Sequence, residues 1–449
     1  MYHGIRKEER KLIQQEGFSL DSSSQKRAPG AIKTFFFAAF PFIDIFLFRY
    51  SFQLFPGPLG YGPLLCMYTL LPIFVIRYKF PIQVAFALMV VGWVGSSGAI
   101  SGMVSAGEFL KVFGSLVLPY FYYWYLWQHL NEDVIRGFRI YLKGAVIVSA
   151  IGLLVFIDSI VPFGFYEFFN SILRIGKAPA EFGIRISGTL GEPTYFANTI
   201  APAGFFALLR LFFKGSNLTS HMQEKGLWLN RFSAILIVLA LALTYSAIAF
   251  TGFLISIVLH LLIKRQVRTL IIAPVIVLAL FSIVRSIPEI NQRIEGLLNA
   301  SEVANRDVHG SSAILYNHAV ITWENFRRNP LFGTGLGSHV AATEKYTILE
   351  NTMSSAYSRQ NAPDASSMFF RIASELGLFG VLLTFYFLTR HYFITHSSDA
   401  DGMVFKFISA ACLVTILLQL MRQGNFILNG FPFFVYCYYF AWKQFRSSH

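Results

Sequence analysis

The chain has 449 residues, of which 55% are hydrophobic, 17% aromatic and only 14% charged, against roughly 25% charged in an ordinary soluble domain. Its apolar residues come in runs of about 20, the length that crosses a hydrocarbon core, which excludes a soluble globular enzyme and defines an all-α polytopic membrane protein. The net charge of +13 is accounted for by membrane topology rather than by nucleic acid.

Residues 1–33 are polar and basic with no hydrophobic centre, so they form a cytoplasmic tail and not a signal peptide. Hydropathy then lays out about twelve spans: 34–50, 60–77, 82–103, 109–129, 142–162, 193–213, 232–246, 248–263, 269–287, 368–389, 404–422 and 427–443. Residues 34–287 thus hold nine spans and an external loop, 163–192. Residues 288–367 form a large external loop, and 368–449 hold the last three spans and a cytoplasmic C-terminus. The seventh and eighth spans touch at "LTYSAIAF" and are either two crossings or one re-entrant pair. Cys66, Cys412 and Cys437 lie inside apolar stretches with no paired spacing and read as small core residues.

With the N-terminus inside, Arg77, Lys79, Arg136, Arg139, Lys143, Lys264 and Arg265 all face the cytoplasm, as the positive-inside rule requires. The two long external loops run against it. The first carries Arg174, Lys177 and Arg185; the second carries Arg293, Arg306, Arg327, Arg328 and Arg359. Long loops translocate regardless of charge; the alternative is that these cations hold an anionic substrate.

The first external loop ends in "IRISGTLGEPTYFANTIAP", Ile184 to Pro202. Pro193 marks a helix start, because its missing donor would be unpaired there anyway. Arg185, the glycines Gly188 and Gly191, and Glu192 precede it, which sets a cation and a carboxylate beside a helix N-terminus suited to anions. A plain cap, with Glu192 salt-bridged to Arg185, is the other reading.

In the second loop, Leu315, Ala319, Trp323 and Phe326 recur at helical spacing, an amphipathic helix for the membrane interface. Asn329-Pro330 stops it, with Arg327 and Arg328 in its last turn. "GTGLG" (Gly333 to Gly337) has the look of a phosphate-cradling loop, but no strand precedes it and no lysine follows, so a flexible turn is the preferred reading. His318 and His339 lack ligand spacing with carboxylates, which argues against a metal. "TMSSAYSRQNAPDASS" reads as a mobile loop and candidate lid. Ser366 or Ser367 caps the tenth helix, inside which Arg371 and Glu375 fall one turn apart. Ionisable residues within a span are functional candidates; a self-neutralising pair is the alternative.

"RISGTLGEPTYFA" (Arg185 to Ala197), "NPLFGTGLG" (Asn329 to Gly337) and "ASSMFFRIASELGLFG" (Ala365 to Gly380) resemble the motifs of bacterial O-antigen and exopolysaccharide polymerases of the Wzy type. Motif order, span number and the large loop before the tenth span are also similar. Lipid A core–O-antigen ligases share this architecture, but their outer loop typically ends in a His-Asn pair where this chain has Ser366 and Ser367. Related peptidoglycan polymerases use an outer-loop aspartate; Asp364 stands in a comparable place, in a motif that does not match.

The resemblance implies a GT-C type glycosyltransferase of the inner membrane with its active site facing the periplasm. It would move a growing glycan from undecaprenyl diphosphate onto a new lipid-linked repeat unit, with no cofactor, metal or nucleotide sugar. Lipid-linked donor and acceptor, membrane lipid and a chain-length regulator are the partners it implies. A departing diphosphate needs its charge stabilised, for which arginine forks are suited. Arg185 and Arg371 come first, then Arg327, Arg328 and Arg174. An acceptor hydroxyl needs a carboxylate base: Glu192 first, then Asp364 and Glu375. A ligase is the rival within the class. A lipid-linked oligosaccharide flippase is the rival outside it, but it would show repeated halves and midplane charges, and no repeat is evident.

Overall fold

The computed structural model describes residues 44–47, 62–173, 175, 178–180, 183–212, 217–264, 282, 291–292, 294–296, 299, 310–350, 352, 355–392 and 400–447. The chain divides into two compact units, Met1–Ala39 and Phe40–His449, and every described residue lies in the second. Its helices are α1 (Gly62–Arg77), α2 (Ile82–Gly95), α3 (Ala106–His129), α4 (Val134–Ile160), α5 (Phe165–Leu173), α6 (Pro193–Phe212) and α7 (Asn217–Glu224). They continue as α8 (Arg231–Ala242), α9 (Ala247–Lys264), α10 (Gly310–Arg328), α11 (His339–Tyr346), α12 (Met368–Arg390), α13 (Ala400–Arg422) and α14 (Phe431–Ser447).

Local chemistry fixes the starts. Ser105, Asp133, Asn230 and Ser367 each accept, through their side chains, the amide three residues on, so α3, α4, α8 and α12 begin where a cap stands. Asp133 lets α4 begin well before the apolar run at 142. The helix predicted to open on Pro193 does so. Ten of the twelve expected spans coincide with described helices; 34–50 and 269–287 lie outside the described residues apart from 44–47 and 282.

Among the described residues, five stretches are long and apolar enough to cross a membrane: Ile82–Ile100, Val134–Ile160, Pro193–Phe212, Met368–Arg390 and Asp401–Arg422. The seventh and eighth expected spans form two separate helices, α8 and α9; at 12 residues, α8 is about 18 Å long, short of the hydrocarbon thickness. One departure from an all-α fold is a small antiparallel hairpin, β1 (Ala178–Ala180) with β2 (Gly183–Arg185), pairing Ala178 with Arg185.

The bundle is built around α6 and α13, whose apolar windows are 78% buried, against 39% for α2 and α12. Helices α8, α9 and α13 all pack on α6. Pro202 interrupts α6, and a broken backbone ladder in an apolar interior must be satisfied by neighbours. Two side chains do this. The Asn198 carbonyl, deprived of its usual donor, accepts from Thr415 Oγ1. The Tyr141 hydroxyl of α4 donates to the Thr199 carbonyl at 2.8 Å and accepts from the Ala203 amide at 3.1 Å, replacing the next bond.

A second interruption organises the other end. Gly377 inside α12 has φ 60° and ψ −153°, a backbone shape that only glycine adopts readily. The polar groups released there bond to residues 330–335. Thr334 and Gly335 donate to the Ser374 and Glu375 carbonyls at 3.2 and 2.8 Å, while Leu378 and Phe379 donate to the Pro330 and Leu331 carbonyls at 2.7 and 3.0 Å. On its far side the same segment meets α2: the Leu336 amide donates to the Gly95 carbonyl at 2.9 Å. A Cβ on Gly333, Gly335, Gly377 or Gly98 would overlap backbone atoms of the opposing strand of chain. "GTGLG" is therefore a packed clamp on a broken helix rather than a flexible turn.

Gly335→Ala is expected to lower stability by about 2–4 kcal/mol through overlap and a disallowed φ. Gly114→Ala in α3, where a Cβ would meet nothing within 4 Å, should hold or raise the melting temperature. Thermal unfolding of the detergent-solubilised pair checks both.

Candidate active site

The clamp holds the first turns of α12 against the loops that precede α11 and follow α13, and ionisable groups gather at this junction. Arg371 is 7% exposed and Glu375 fully buried. Arg371 Nε donates to Glu375 Oε1 at 3.2 Å and Nη1 to the Gly424 carbonyl at 3.1 Å. The guanidinium stacks on Phe426, 4.5 Å from the ring centroid. Its Nη2 makes no hydrogen bond among the described residues. The Gly337 and His339 amides face the Glu375 carboxylate, but neither has good hydrogen-bond geometry to Oε2, which has no partner. Glu375 is thus placed to aim Arg371.

Asp364 lies half-buried beside this pair. Its Oδ1 accepts from the Ser366 amide at 2.9 Å, and Gly424 lies so close to its carbonyl that no Cβ would fit. Burial pushes the Asp364 carboxyl above the ordinary carboxylate range, against the pull of the Ser366 amide, Arg371 and Arg422. The loop bearing it is wound tightly: Asn361, Ala365 and Ser366 all have left-handed backbones, with φ of 59°, 55° and 57°. Such conformations cost about 1–2 kcal/mol each outside glycine and persist only where neighbours enforce them. Arg422, at the end of α13, donates from Nη2 to the Ser311 carbonyl at 3.2 Å and so joins α10 to the junction. The sequence reading passed over Arg422 because it closes an ordinary apolar helix.

Helix α10 enforces the loop from the other side. Its buried residues include Ser312, Asn317, His318, Thr322 and Asn325, and Trp323, of the stripe expected at the membrane interface, is 61% exposed. Asn317 Oδ1 accepts from the Ile348 amide at 3.0 Å, and its Nδ2 donates to the Ser358 carbonyl at 3.4 Å. His318 and His339 meet, Nδ1 to Nε2, at 3.0 Å. His318 Nε2 bonds to the Gln360 carbonyl at 2.8 Å, and His339 Nδ1 to Ser374 Oγ at 3.0 Å.

Since a carbonyl only accepts, His318 carries its proton on Nε2 and accepts at Nδ1 from His339 Nε2–H. His339 Nδ1 then accepts the Ser374 hydroxyl, whose oxygen accepts from Asn325 Nδ2 at 2.8 Å. Burial lowers the pKa of both rings. A second contribution comes from Arg422 for His318, and from His318 and then Arg371 for His339. The pair is a neutral strut between the candidate lid and α12. Two histidines far apart in sequence gave no local sign of it.

The remaining expected residues make other contacts. Arg185 caps the end of α8, its Nε donating to the Thr244 carbonyl at 3.0 Å and Nη2 to the Tyr245 carbonyl at 3.4 Å. Glu192 precedes α6 and accepts from Thr194 Oγ1 at 3.4 Å. Arg327 and Arg328, both more than half exposed, pair with Glu324 at 2.8 and 3.6 Å, and Arg328 also lies over the Tyr346 ring. Arg174 lies outside the described residues. The α6 end is linked to the junction through Asn198 Nδ2, which donates to Gln419 Oε1 at 2.5 Å, and Gln419 Nε2, which donates to the Asn425 carbonyl at 2.6 Å.

Below the junction, α2, α3, α12, α13 and α14 enclose an apolar groove of about 420 Å³. Met368, Ile372 and Phe426 line it at the Arg371 end, and it continues to Tyr439 and His391 at the other end of α12. Phe426 belongs to both places: it lines the groove and carries the guanidinium.

Residues 232–385, about a third of the chain, match a family model described as O-antigen ligase. The match supports the O-antigen ligase and polymerase superfamily without separating ligase from polymerase, and supports a membrane glycan-processing enzyme. It takes in His318, His339, the clamp, Asp364, Arg371 and Glu375, but not Arg185 or Glu192. No curated protein matches the chain.

Unfolding frees both histidines to take up protons near their ordinary value of about 6.5. The folded state, with its lowered values, binds fewer protons, so stability is full above that pH and is lost as pH falls below it. The melting temperature should drop on acidification through this window, and the drop should shrink in His339→Gln. Melting curves across that range for both proteins test this.

Proposed function

We propose that the protein is a polysaccharide polymerase. It transfers a growing glycan from undecaprenyl diphosphate onto a new lipid-linked repeat unit at the outer face of the cell's inner membrane. The observation that carries this reading is the Arg371 guanidinium, seated on Phe426 at the mouth of an apolar groove, with a terminal nitrogen left over. A lipid tail in the groove brings its diphosphate to that nitrogen. A preorganised guanidinium in a low-dielectric site then stabilises the charge that develops as the glycosidic bond to phosphate breaks.

Arg371 is the principal diphosphate-binding residue, with Arg422 behind it. Arg185, which bonds the Thr244 and Tyr245 carbonyls, is the next candidate, followed by Arg327, Arg328 and Arg174. Asp364 is the preferred base for the acceptor hydroxyl: it is half open, and burial has already raised its proton affinity, as a general base near neutral pH requires. Glu375 positions Arg371, and Glu192 is the alternative base on the α6 side. Ser366 and Ser367 stand where ligases carry His-Asn, which favours polymerase. The description of the matching family model favours transfer to lipid A core as the second reading.

In a strain lacking the protein, a polymerase leaves single repeat units capped on lipid, whereas a ligase leaves long polymer still on undecaprenyl diphosphate. Arg371→Lys keeps the charge but loses the planar fork and should cut polymer formation at least tenfold while the protein still inserts. Normal polymer length in this variant would refute the assignment. Asp364→Asn should abolish transfer. In the wild type, activity should rise with pH along a limb lying above the ordinary aspartate value, because only the ionised carboxylate accepts the proton. A pH–rate profile of reconstituted enzyme checks that limb.

A further inference from the structure

Among the described residues outside the junction, one carboxylate is fully buried with no ionic partner. Asp44 is fully buried and neither carboxylate oxygen has a hydrogen-bond partner. The groups facing it are the phenols of Tyr122 and Tyr123 on α3, and the Tyr122 hydroxyl approaches the carboxyl without the geometry of a made bond. Next to it the chain is unwound before α14. Asn429 and Gly430 have left-handed backbones, with φ of 48° and 69°. A Cβ on Gly430 would lie 2.6 Å from Ile45 Cγ1 and 3.0 Å from the Tyr123 hydroxyl. Asn429 is buried and its Oδ1 is unpartnered.

Two further elements touch this segment. The Phe46 ring stacks on Tyr141 of α4 at 5.8 Å between centroids, and the Phe46 carbonyl accepts from Thr189 Oγ1 at 2.6 Å. Thr189 belongs to the 3-10 turn Gly188–Leu190, which lies between Arg185 and Glu192. That turn and the one at Leu428–Gly430 contribute no titratable side chain, so among the described residues the ionisable groups around Asp44 are all phenols.

A lone carboxylate with phenols for company has no counter-charge, and in an apolar interior such a group is held neutral or paired. One carboxylate is too few oxygens for a divalent ion, which takes six or more. A proton satisfies the site fully, because the acid form gains a donor aimed at a phenol oxygen and leaves a carbonyl to accept. We propose that Asp44 is a proton-binding site inside the membrane bundle, and that its charge state is transmitted through Phe46 and Thr189 to the turn that opens α6. When the proton leaves, a bare negative charge faces the phenols, and the Ile45–Phe46 segment shifts against Thr189. This inference stands apart from glycan transfer and needs no transfer assay.

Infrared spectroscopy of the protein reconstituted in lipid tests it. The wild type should show a carboxylic-acid carbonyl stretch at neutral pH that disappears as the pH is raised. Asp44→Asn, isosteric with the neutral acid, should lack that component, and Tyr122→Phe should keep it at a shifted frequency. Identical acid bands in wild type and Asp44→Asn would overturn the proposal. If Asp44→Asn does not insert, an unshifted band in Tyr122→Phe overturns it instead. A rise in melting temperature on adding sodium at constant pH, present in the wild type and absent from Asp44→Asn, would assign the site to a metal cation and also refute the proton.

Discussion

The break in α12 at Gly377 is the constraint on which the rest depends. A helix that stops hydrogen-bonding to itself in an apolar setting must find every lost partner nearby. Here residues 330–335 supply those partners on both sides of the break. Once that exchange is required, the glycines are required as well, since three stretches of backbone meet with no space for a Cβ. The clamp fixes how α12 enters the bundle, and with it the direction in which Arg371 and Glu375 point.

The buried polar residues around the clamp follow from the same logic. Asn325, Ser374, His339 and His318 form a chain in which each donor has an acceptor, ending on a lid carbonyl. A partly satisfied network of this kind destabilises more than an apolar core, while a complete one fixes a single geometry. It is this geometry that holds Asp364 near Arg371 and Arg422. Keeping both imidazoles neutral limits positive charge at the junction to the guanidiniums.

Much of the helical layout was legible from the chain. Pro193 and Ser367 announced helix starts through local chemistry, and apolar runs located ten described helices, although α4 begins eight residues before its run. The Arg371–Glu375 pair was visible because one turn of helix sets both on one side. What lay hidden depends on contacts between residues far apart in the chain. Nothing near Gly333 says that its neighbour is Glu375, and nothing near His318 says that it meets His339. The polar residues through which α10 packs carried no signal for a related reason: Asn317 and Asn325 are buried by hydrogen bonds to distant residues, which hydropathy does not register. Arg185, beside a helix N-terminus in the sequence, also reaches the Thr244 and Tyr245 carbonyls beyond α8, contacts that no local pattern announces.

The clamp also bears on the autonomy of the family-matched segment. Residues 232–385 contain the loop and the broken helix but not α2, whose Gly95 carbonyl receives the Leu336 amide, nor the turn just after it, whose Gly98 backbone lies against Gly335. Nor do they contain α6, on which α8 and α9 pack. The family-matched part is therefore not a module that folds by itself or transplants cleanly. A chimera grafting it onto another scaffold inherits half of a lock, and works only if the host presents two matching glycines at the end of its second helix.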